Sequence, residues 1–256
     1  MATLGFIGSG SISTKIARLA VAAGIDVVLS NSRGPESLAE TVADLGERAR
    51  AATPREAAQA GDWVVVSIPL SAYRELPAAE LAGKVVLDTI NYYAMRDGRI
   101  EVLDSGRTTT GELVQEHLAG AKLVKAFSSI SDFHIPALAR PAGATDRTAL
   151  PIAGDDPRAK EDAADLISRL GFDTVDVGPL TESWRFEPET DPYAVPYYAV
   201  PDVVTTFWAE VGEALRSGTV PQTPPPADPG VPLPAARLRT LLADTPRKLT
   251  ADRVVA

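Results

Sequence analysis

The sequence contains no cysteine and only two histidines, His117 and His134. The lack of thiols excludes disulfides, thiolate zinc sites and cysteine nucleophiles, and two imidazoles cannot build a multi-histidine metal site. No apolar run approaches the roughly 18 residues that a membrane-spanning helix needs, and the chain begins in a predicted strand without a basic leader. We therefore expect no metal and no membrane anchor, with the cytoplasm as the simplest location.

Positive charge is also scarce. The 256 residues carry 25 Lys and Arg against 34 Asp and Glu, which gives a net charge of −9. This balance argues against nucleic acid or an anionic membrane as a partner. The apolar fraction of 45% is ordinary for a globular protein, and the length suits one large or two modest domains.

Helix and strand patterns alternate along most of the chain, which indicates βαβ units and a mostly parallel sheet. We predict an α/β, Rossmann-type doubly wound fold over residues 1–186, with a helical and Pro-rich extension over 187–256. The predicted strands lie near residues 4–7, 26–30, 48–52, 63–68, 84–88, 123–127, 149–153 and 172–177. N-capping residues mark helix starts: Thr53 with Glu56, Thr109 with Glu112, and Asp155 or Asp156.

A glycine turn follows the first predicted strand. Gly8-Ser9-Gly10 opens a helix directly after apolar residues, the context in which such glycines mark a dinucleotide site. Gly8 permits the tight turn, and Gly10 lets the backbone approach a pyrophosphate at the helix N-terminus. Ser13 stands at the third glycine position, where it is small enough for close helix–strand packing.

The second predicted strand ends in Asn31-Ser32-Arg33, where an NAD site would carry an acid for the ribose 2′-hydroxyl. Arg33 offers a planar set of donors suited to a phosphate, and Ser32 adds a hydroxyl. Asp26 lies at the other end of that strand. Ser32 and Arg33 could also be ordinary loop residues, but their separation from the glycine turn favours NADP over NAD.

Composition changes after residue 186. Residues 188–201 alternate prolines with tyrosines, and residues 202–216 form a predicted amphipathic helix that Asp202 is expected to cap. Residues 221–234 are typical of an extended Pro-rich arm rather than a packed element. The aromatic face with Phe207 and Trp208 is either a subunit interface or a lid over the acceptor, and we expect a homodimer.

Further motifs lie at the ends of the later strands. They read Ser67-Ile68-Pro69, Asp88-Thr89-Ile90-Asn91-Tyr92-Tyr93, Val124-Lys125-Ala126-Phe127, Ile152-Ala153-Gly154-Asp155-Asp156 and Asp176-Val177-Gly178-Pro179-Leu180. Together with the glycine turn and Asn31-Ser32-Arg33, they resemble the deazaflavin-dependent NADP oxidoreductase family. Its members exchange a hydride between NADPH and the deazaflavin coenzyme, factor 420. Pyrroline-5-carboxylate reductases and imine reductases share the N-terminal half but add a long helical domain.

The resemblance implies roles for particular residues of this chain. The pyrophosphate would bind at residues 8–12, and the 2′-phosphate at Ser32 and Arg33. The nicotinamide would lie along the end of the fourth strand. The acceptor pocket would follow the Lys-Ala-Phe strand. The implied residues are Gly8, Ser9, Gly10, Ser11 and Ile12 for pyrophosphate, Asn31, Ser32 and Arg33 for the 2′-phosphate loop, Ser67, Ile68, Pro69 and Asn91 for nicotinamide, and Ser128, Ser129 and Ile130 for the acceptor.

The acceptor segment departs from the family pattern. Ser128-Ser129 stands where relatives carry Asn-Thr, Asn-Asn or His-Thr, and the stretch from Ser131 to Pro136 is unusual. Three functions therefore stay open: hydride exchange with a deazaflavin, reduction of an imine or carbonyl of a secondary metabolite, and NADP binding by a redox sensor without turnover.

A proton donor is needed only if the acceptor is a carbonyl or an imine. His134 is a catalytic candidate, because it follows a strand at the carboxyl end, where such sheets bind ligands. Tyr92 and Tyr93 are expected to form the wall of the acceptor pocket, and either could donate a proton. Ser128 and Ser129 are expected to hydrogen-bond the substrate rather than act as nucleophiles.

Overall fold

The computed structural model describes residues 2–217 and 228–249. The described strands are β1 (Thr3–Ile7), β2 (Asp26–Ser30), β3 (Ala49–Ala51), β4 (Trp63–Val66), β5 (Val85–Asp88), β6 (Lys122–Lys125), β7 (Ala149–Ala153) and β8 (Asp173–Gly178). They form one sheet in the order β3-β2-β1-β4-β5-β6-β7-β8. Only the β6–β7 pair among them is antiparallel.

Helices connect these strands. The described α-helices are α1 (Ser11–Ala22), α2 (Ala39–Leu45), α3 (Pro54–Ala60), α4 (Ala78–Leu81), α5 (Ala94–Asp97), α6 (Glu101–Asp104), α7 (Thr110–His117), α8 (His134–Leu138), α9 (Pro157–Arg169), α10 (Pro201–Arg216) and α11 (Ala235–Asp244). Short 3₁₀ helices cover Pro35–Leu38, Leu70–Glu75, Leu180–Phe186 and Val195–Tyr197. The predicted doubly wound α/β fold with a mostly parallel sheet is confirmed.

Local sequence signals set several helix starts as predicted. The Thr53 and Thr109 side chains each accept a backbone N–H three residues later, and the glutamate at that position returns the bond. Asp156 accepts the Ala159 N–H at 2.9 Å and caps α9. These bonds satisfy N–H groups that a helix start otherwise leaves without partners.

The central strands are buried on both faces, as expected for a parallel sheet covered by helices on each side. On β4, Val65 packs with Phe6 and Leu87 in the larger apolar core. Its neighbours Val64 and Val66 belong to a second core on the opposite face. Within residues 2–217 and 228–249, none of the helices combines the length and apolar character needed to cross a bilayer.

Five adjacent parallel strands end in one row. Ser30 of β2 pairs with Ile7 of β1, Ile7 with Val66 of β4, Val66 with Asp88 of β5, and Asp88 with Lys125 of β6. Neighbouring strands lie about 4.8 Å apart, so this row spans roughly 19 Å. The winding direction reverses between β1 and β4, the switch point at which open α/β sheets bind ligands.

Part of the C-terminal segment packs onto this sheet. Leu233, Leu238 and Leu242 are buried in the larger core, next to β7 and β8. The Leu233 carbonyl also accepts the Ala149 N–H at 2.8 Å. These contacts attach the end of the described chain to the edge of the sheet.

The prediction of an extended arm over residues 221–234 is therefore wrong for residues 228–234. The prolines of this stretch are typical of a spacer, but Leu233 among them is buried and holds the stretch against the sheet. Residues 218–227 lie outside the described part of the chain. Asp202 lies in the first turn of α10, which begins at Pro201, rather than at the cap. Phe207 is half-buried. The division at residue 186 stays a prediction.

The packing of α11 can be tested by truncating one of its side chains. Leu238→Ala is expected to lower the free energy of unfolding by about 2–5 kcal/mol, because Leu238 is fully buried. Arg239→Ala, one position along and exposed, should change it by less than about 0.5 kcal/mol. Chemical denaturation followed by circular dichroism measures both. Equal, small effects would show that α11 is not part of the core.

Candidate active site

The turn after β1 requires a glycine. Gly8 has a φ of 100°, and its N–H donates to the Ser30 carbonyl of β2 at 3.0 Å. A Cβ at this position would overlap the carbonyl oxygen of Ser67, which follows β4. Gly8 therefore lets the ends of three neighbouring strands meet with no side chain between them.

The start of α1 faces open space. Gly10 is its N-cap residue, and a Cβ built there would have no described atom within 4 Å. Among the described residues, no side chain caps α1, so the first N–H groups are available to an anion. Ser13 is fully buried, as its place at the third glycine position predicts. Ile12 is half-buried beside it. These features fit a bound pyrophosphate.

Asn31 organises the loop after β2. Its Nδ2 donates to Ser9 Oγ at 3.1 Å and to Ser37 Oγ at 3.0 Å, while its Oδ1 accepts the Arg33 N–H at 2.9 Å. Asn31 thus ties the glycine turn to the loop that carries Arg33. Ser32 and Arg33 are exposed at the surface of this loop. Their role as ligands of the 2′-phosphate of NADP stays a prediction.

The ends of β4 and β5 lie next to the turn. The Ser67 N–H donates to the Ile7 carbonyl at 2.9 Å and so extends the pairing of β4 with β1. Of the next two residues, Ile68 is half-buried and Pro69 is exposed. Asn91, beyond the end of β5, donates from Nδ2 to the Ser128 carbonyl at 2.7 Å. Asn91 therefore joins the predicted nicotinamide residues to the predicted acceptor residues.

The acceptor residues are buried under the C-terminal segment. Ser128, Ser129 and Ile130 are all less than 5% exposed. Ser129 O accepts the Ala194 N–H at 2.9 Å. Ser128 Oγ is buried, and none of the described polar atoms bonds it. A buried hydroxyl without a partner costs free energy, which makes Ser128 a candidate contact for a ligand.

The hydroxyl of Tyr92 is hydrogen-bonded to residues of the segment that follows it. The Tyr92 hydroxyl lies 2.8 Å from Asp104 Oδ1 and 3.1 Å from the Gly98 carbonyl oxygen, either of which can accept its one proton, and it accepts the Ile100 N–H at 3.1 Å. Tyr92 therefore holds the segment before α6. Its hydroxyl is not available to an acceptor, which corrects its assignment as a substrate residue. Burial raises the pKa of Tyr92 above its usual value.

His134 does not face the cleft. It is fully buried, and its Nε2 lies 3.1 Å from the Asp228 carboxylate. The rings of Phe133 and Tyr198 pack edge-on against it. Burial lowers the pKa of His134 despite the nearby carboxylate. The assignment of His134 as proton donor has no geometric support, since the imidazole instead anchors residue 228 to α8.

Sequence reasoning missed a buried ion pair at the strand ends. Lys125 Nζ lies 3.1 Å from Asp88 Oδ2 and also donates to the Ile90 carbonyl, and both charged side chains are fully buried. Asp88 also accepts the Ile90 N–H at 2.8 Å. The pair fixes the loop that leads to Asn91. A charged residue at the end of an otherwise apolar strand was the available signal.

Two more residues near the site were missed. Asp132 accepts a hydrogen bond from Ser11 Oγ, which places a carboxylate beside the first residue of α1. Tyr193 contacts the hydroxyl of Tyr93. Neither contact has a local signal, because each joins residues that are about a hundred positions apart or more.

Comparison with known proteins agrees with this geometry. The family model described as "NADP oxidoreductase coenzyme F420-dependent" matches residues 3–92, from β1 to just beyond Asn91. The hypothetical protein SMa0349 of Sinorhizobium meliloti is 32% identical, with a TM-score of 0.62 over 72% of this chain and 88% of that one.

Two further proteins are similar over different lengths. A candidate F420-dependent NADP-reductase from Arthrobacter sp. FB24 shares the fold at 21% identity, with a TM-score of 0.61 over 86% of this chain and 96% of that one. The curated Escherichia coli (strain K12) protein YjhV is 39% identical over 59 residues, which cover 23% of this chain and 43% of YjhV.

The glycine turn gives a direct test of nucleotide binding. Gly10→Val is expected to abolish NADPH binding and leave the fold intact, because its φ of −70° suits valine and the added side chain would fill the space in front of α1. Gly10→Ala should weaken binding less. Fluorescence titration with NADPH and thermal unfolding check both variants. Unchanged affinity in Gly10→Val would overturn the assignment of this turn.

Cofactor preference tests the loop after β2. Arg33→Ala is expected to weaken NADPH binding by about 1–3 kcal/mol, the value of a charge-assisted hydrogen bond, and to leave NADH binding nearly unchanged. Arg18→Ala, an exposed arginine on α1, serves as the matched control. Isothermal titration with both nucleotides measures the difference. An equal loss for NADPH and NADH would show that Arg33 does not bind the 2′-phosphate.

Proposed function

Because this chain belongs to the family of coenzyme F420-dependent NADP oxidoreductases, we propose that it transfers a hydride between NADP(H) and an acceptor held beyond β5 and β6. The observation that carries the proposal is the row of five strand ends at the switch point of the sheet. Across the sheet, Arg33 after β2 comes first, then the glycine turn after β1, then Asn91 after β5 and Ser128 after β6. A dinucleotide laid along it would have its nicotinamide beside the acceptor residues.

The nucleotide is held by groups of three kinds. The N–H groups at the start of α1 bind the pyrophosphate, and Gly10 leaves the space that it needs. Ser32 and Arg33 bind the 2′-phosphate, with Asn31 fixing their loop. Ile68 and Pro69 lie along the nicotinamide ring. NADP is therefore the expected cofactor.

The chain's own residues contribute position and a dry environment. Bound NADPH supplies the hydride, and the protein must hold the acceptor carbon within reach of the nicotinamide while excluding water. The bond from Asn91 to the Ser128 carbonyl holds together the segments that follow β5 and β6. The buried ion pair of Asp88 and Lys125 keeps the loop before Asn91 rigid.

The acceptor is either a deazaflavin or a small carbonyl or imine compound. The family name favours the deazaflavin, but the matched residues 3–92 end before the acceptor residues. The burial of Ser128 and Ser129 beneath residues 193–194 favours a smaller acceptor. If no acceptor is reduced, the protein binds NADP(H) without turnover, as a redox sensor would.

The experiment is stopped-flow oxidation of NADPH with oxidised deazaflavin, with cyclic imines and with ketones. Ser128→Ala is expected to raise the KM of the acceptor about 2–10-fold, the net value of one hydrogen bond, and to leave the Kd of NADPH within about twofold. Thr148 lies just before β7 and carries another buried hydroxyl without a described partner. Thr148→Val should change neither the KM of the acceptor nor the Kd of NADPH.

Two outcomes would contradict the proposal. NADPH that binds but is oxidised by no acceptor class would indicate a sensor rather than an oxidoreductase active at this site. A Ser128→Ala variant that weakens NADPH as much as the acceptor would show that Ser128 does not line the acceptor side.

A further inference from the structure

Two tyrosines from distant parts of the chain bring their hydroxyl groups together. Tyr93 follows Asn91 in the loop after β5, and Tyr193 lies in the segment after residue 187, 100 positions further along. Both rings belong to a small apolar cluster that is separate from the two main cores. The contact therefore joins a residue at the candidate nicotinamide site to the C-terminal segment.

This contact lies at the acceptor residues. Ala194, next to Tyr193, donates its N–H to the Ser129 carbonyl at 2.9 Å. Asn91 precedes Tyr93 by two residues in the same loop. Asn91 in turn donates to the Ser128 carbonyl. The tyrosine pair and the unpartnered Ser128 hydroxyl are thus arranged around Asn91.

Backbone strain supports a functional role for this arrangement. Phe127, just before the serine pair, has a φ of 56°, and Ala194 has a φ of 57°. Such conformations are strained in residues other than glycine, and they cluster at functional sites. Ala194 is the donor of the hydrogen bond to Ser129, and Phe127 precedes Ser129 by two residues.

The other candidate proton donors are already engaged. The Tyr92 hydroxyl bonds Asp104, and the imidazole of His134 is buried against Asp228. The Tyr198 hydroxyl lies 3.0 Å from Ser131 Oγ. The Tyr93 hydroxyl, by contrast, meets a second phenol that can donate to it and leave its own proton for a ligand.

We propose that Tyr93 donates the proton in the reduction of a small carbonyl or imine, and that Tyr193 positions its hydroxyl. The inference rests on the proposed function and narrows its acceptor to a compound with a polarised C=O or C=N bond. It also places a residue of the C-terminal segment in the active site, outside the part of the chain that the family model matches.

A hydride leaves C4 of NADPH and forms a new C–H bond at the carbonyl or imine carbon, so the nucleotide is oxidised and the acceptor is reduced. The π electrons move to the oxygen or nitrogen, which takes the proton of the Tyr93 hydroxyl. The Tyr93 phenolate that remains accepts a hydrogen bond from Tyr193 and regains a proton from solvent.

Nearby charges suit this role. The Arg96 guanidinium lies 4.8 Å from the centre of the Tyr93 ring and stabilises a phenolate there. Burial raises the pKa of Tyr93, whereas Tyr193, Arg96 and Asn91 lower it and Asp97 raises it, with a net increase. Tyr93 is therefore protonated at neutral pH, as a proton donor must be. The pKa of Tyr193 lies well above its usual value because the residue is buried.

The test compares two acceptors that differ in their need for a proton. Reduction of neutral 3,4-dihydroisoquinoline requires a hydride and a proton, whereas its N-methyl cation requires the hydride alone. At a pH at which the imine is neutral, Tyr93→Phe is expected to slow single-turnover reduction of the imine by about 10²–10⁴-fold. Reduction of the N-methyl cation should slow less than about threefold.

Two further variants separate chemistry from structure. Tyr193→Phe keeps the Tyr93 proton but removes the bond that lowers its pKa, so the loss of imine reduction at high pH should shift to higher pH. Tyr198→Phe removes a hydroxyl of the same segment, which bonds Ser131, and should change both reductions less than about threefold. NMR of the protein with selectively ¹³C-labelled tyrosine, without nucleotide or acceptor, follows the ionisation of Tyr93 directly. The pH midpoint of this ionisation should rise in Tyr193→Phe.

Three results would overturn the proposal. Equal slowing of both acceptors in Tyr93→Phe would mean that the phenol only holds the segment in place. An unchanged Tyr93 midpoint in Tyr193→Phe would remove the positioning role. A wild-type protein that oxidises NADPH with deazaflavin but reduces no imine or ketone would leave the proposed function standing and exclude this acceptor class.

Discussion

The alignment of the carboxyl ends of five parallel strands is the constraint on which the rest of this structure depends. The register pairs Ser30, Ile7, Val66, Asp88 and Lys125 across the sheet, so the residues that follow them emerge side by side. A shift of one residue in any pair would move side chains to the other face and separate the site. The apolar residues of both cores hold this register, and the functional groups lie just beyond it.

Much of the nucleotide half could be predicted because its signals are local. A tight turn needs glycine at Gly8, a helix start needs free N–H groups, and a phosphate loop needs an exposed donor such as Arg33. Each requirement is met within a few residues of a strand end, so the pattern is visible in the sequence. The two capping boxes, begun by Thr53 and Thr109, were predicted for the same reason.

The acceptor half depends on contacts between distant segments, which no local pattern records. His134 was placed in the cleft because it follows a strand, yet Asp228, 94 positions away, fixes it in the interior. Residues 228–234 were interpreted as an arm because they are rich in proline, but the buried Leu233 holds them at the sheet edge. Tyr193 gains its place only when its segment packs against Ser129 and Tyr93, beyond the ends of β6 and β5.

The most direct test of the account is a crystal structure of the complex with NADP⁺. We expect the pyrophosphate on the N–H groups at Gly10, the 2′-phosphate within hydrogen-bond distance of Ser32 and Arg33, and the nicotinamide between Ile68 and Asn91. A nucleotide bound in the reverse direction along the strand ends, or bound elsewhere on the protein, would contradict the account.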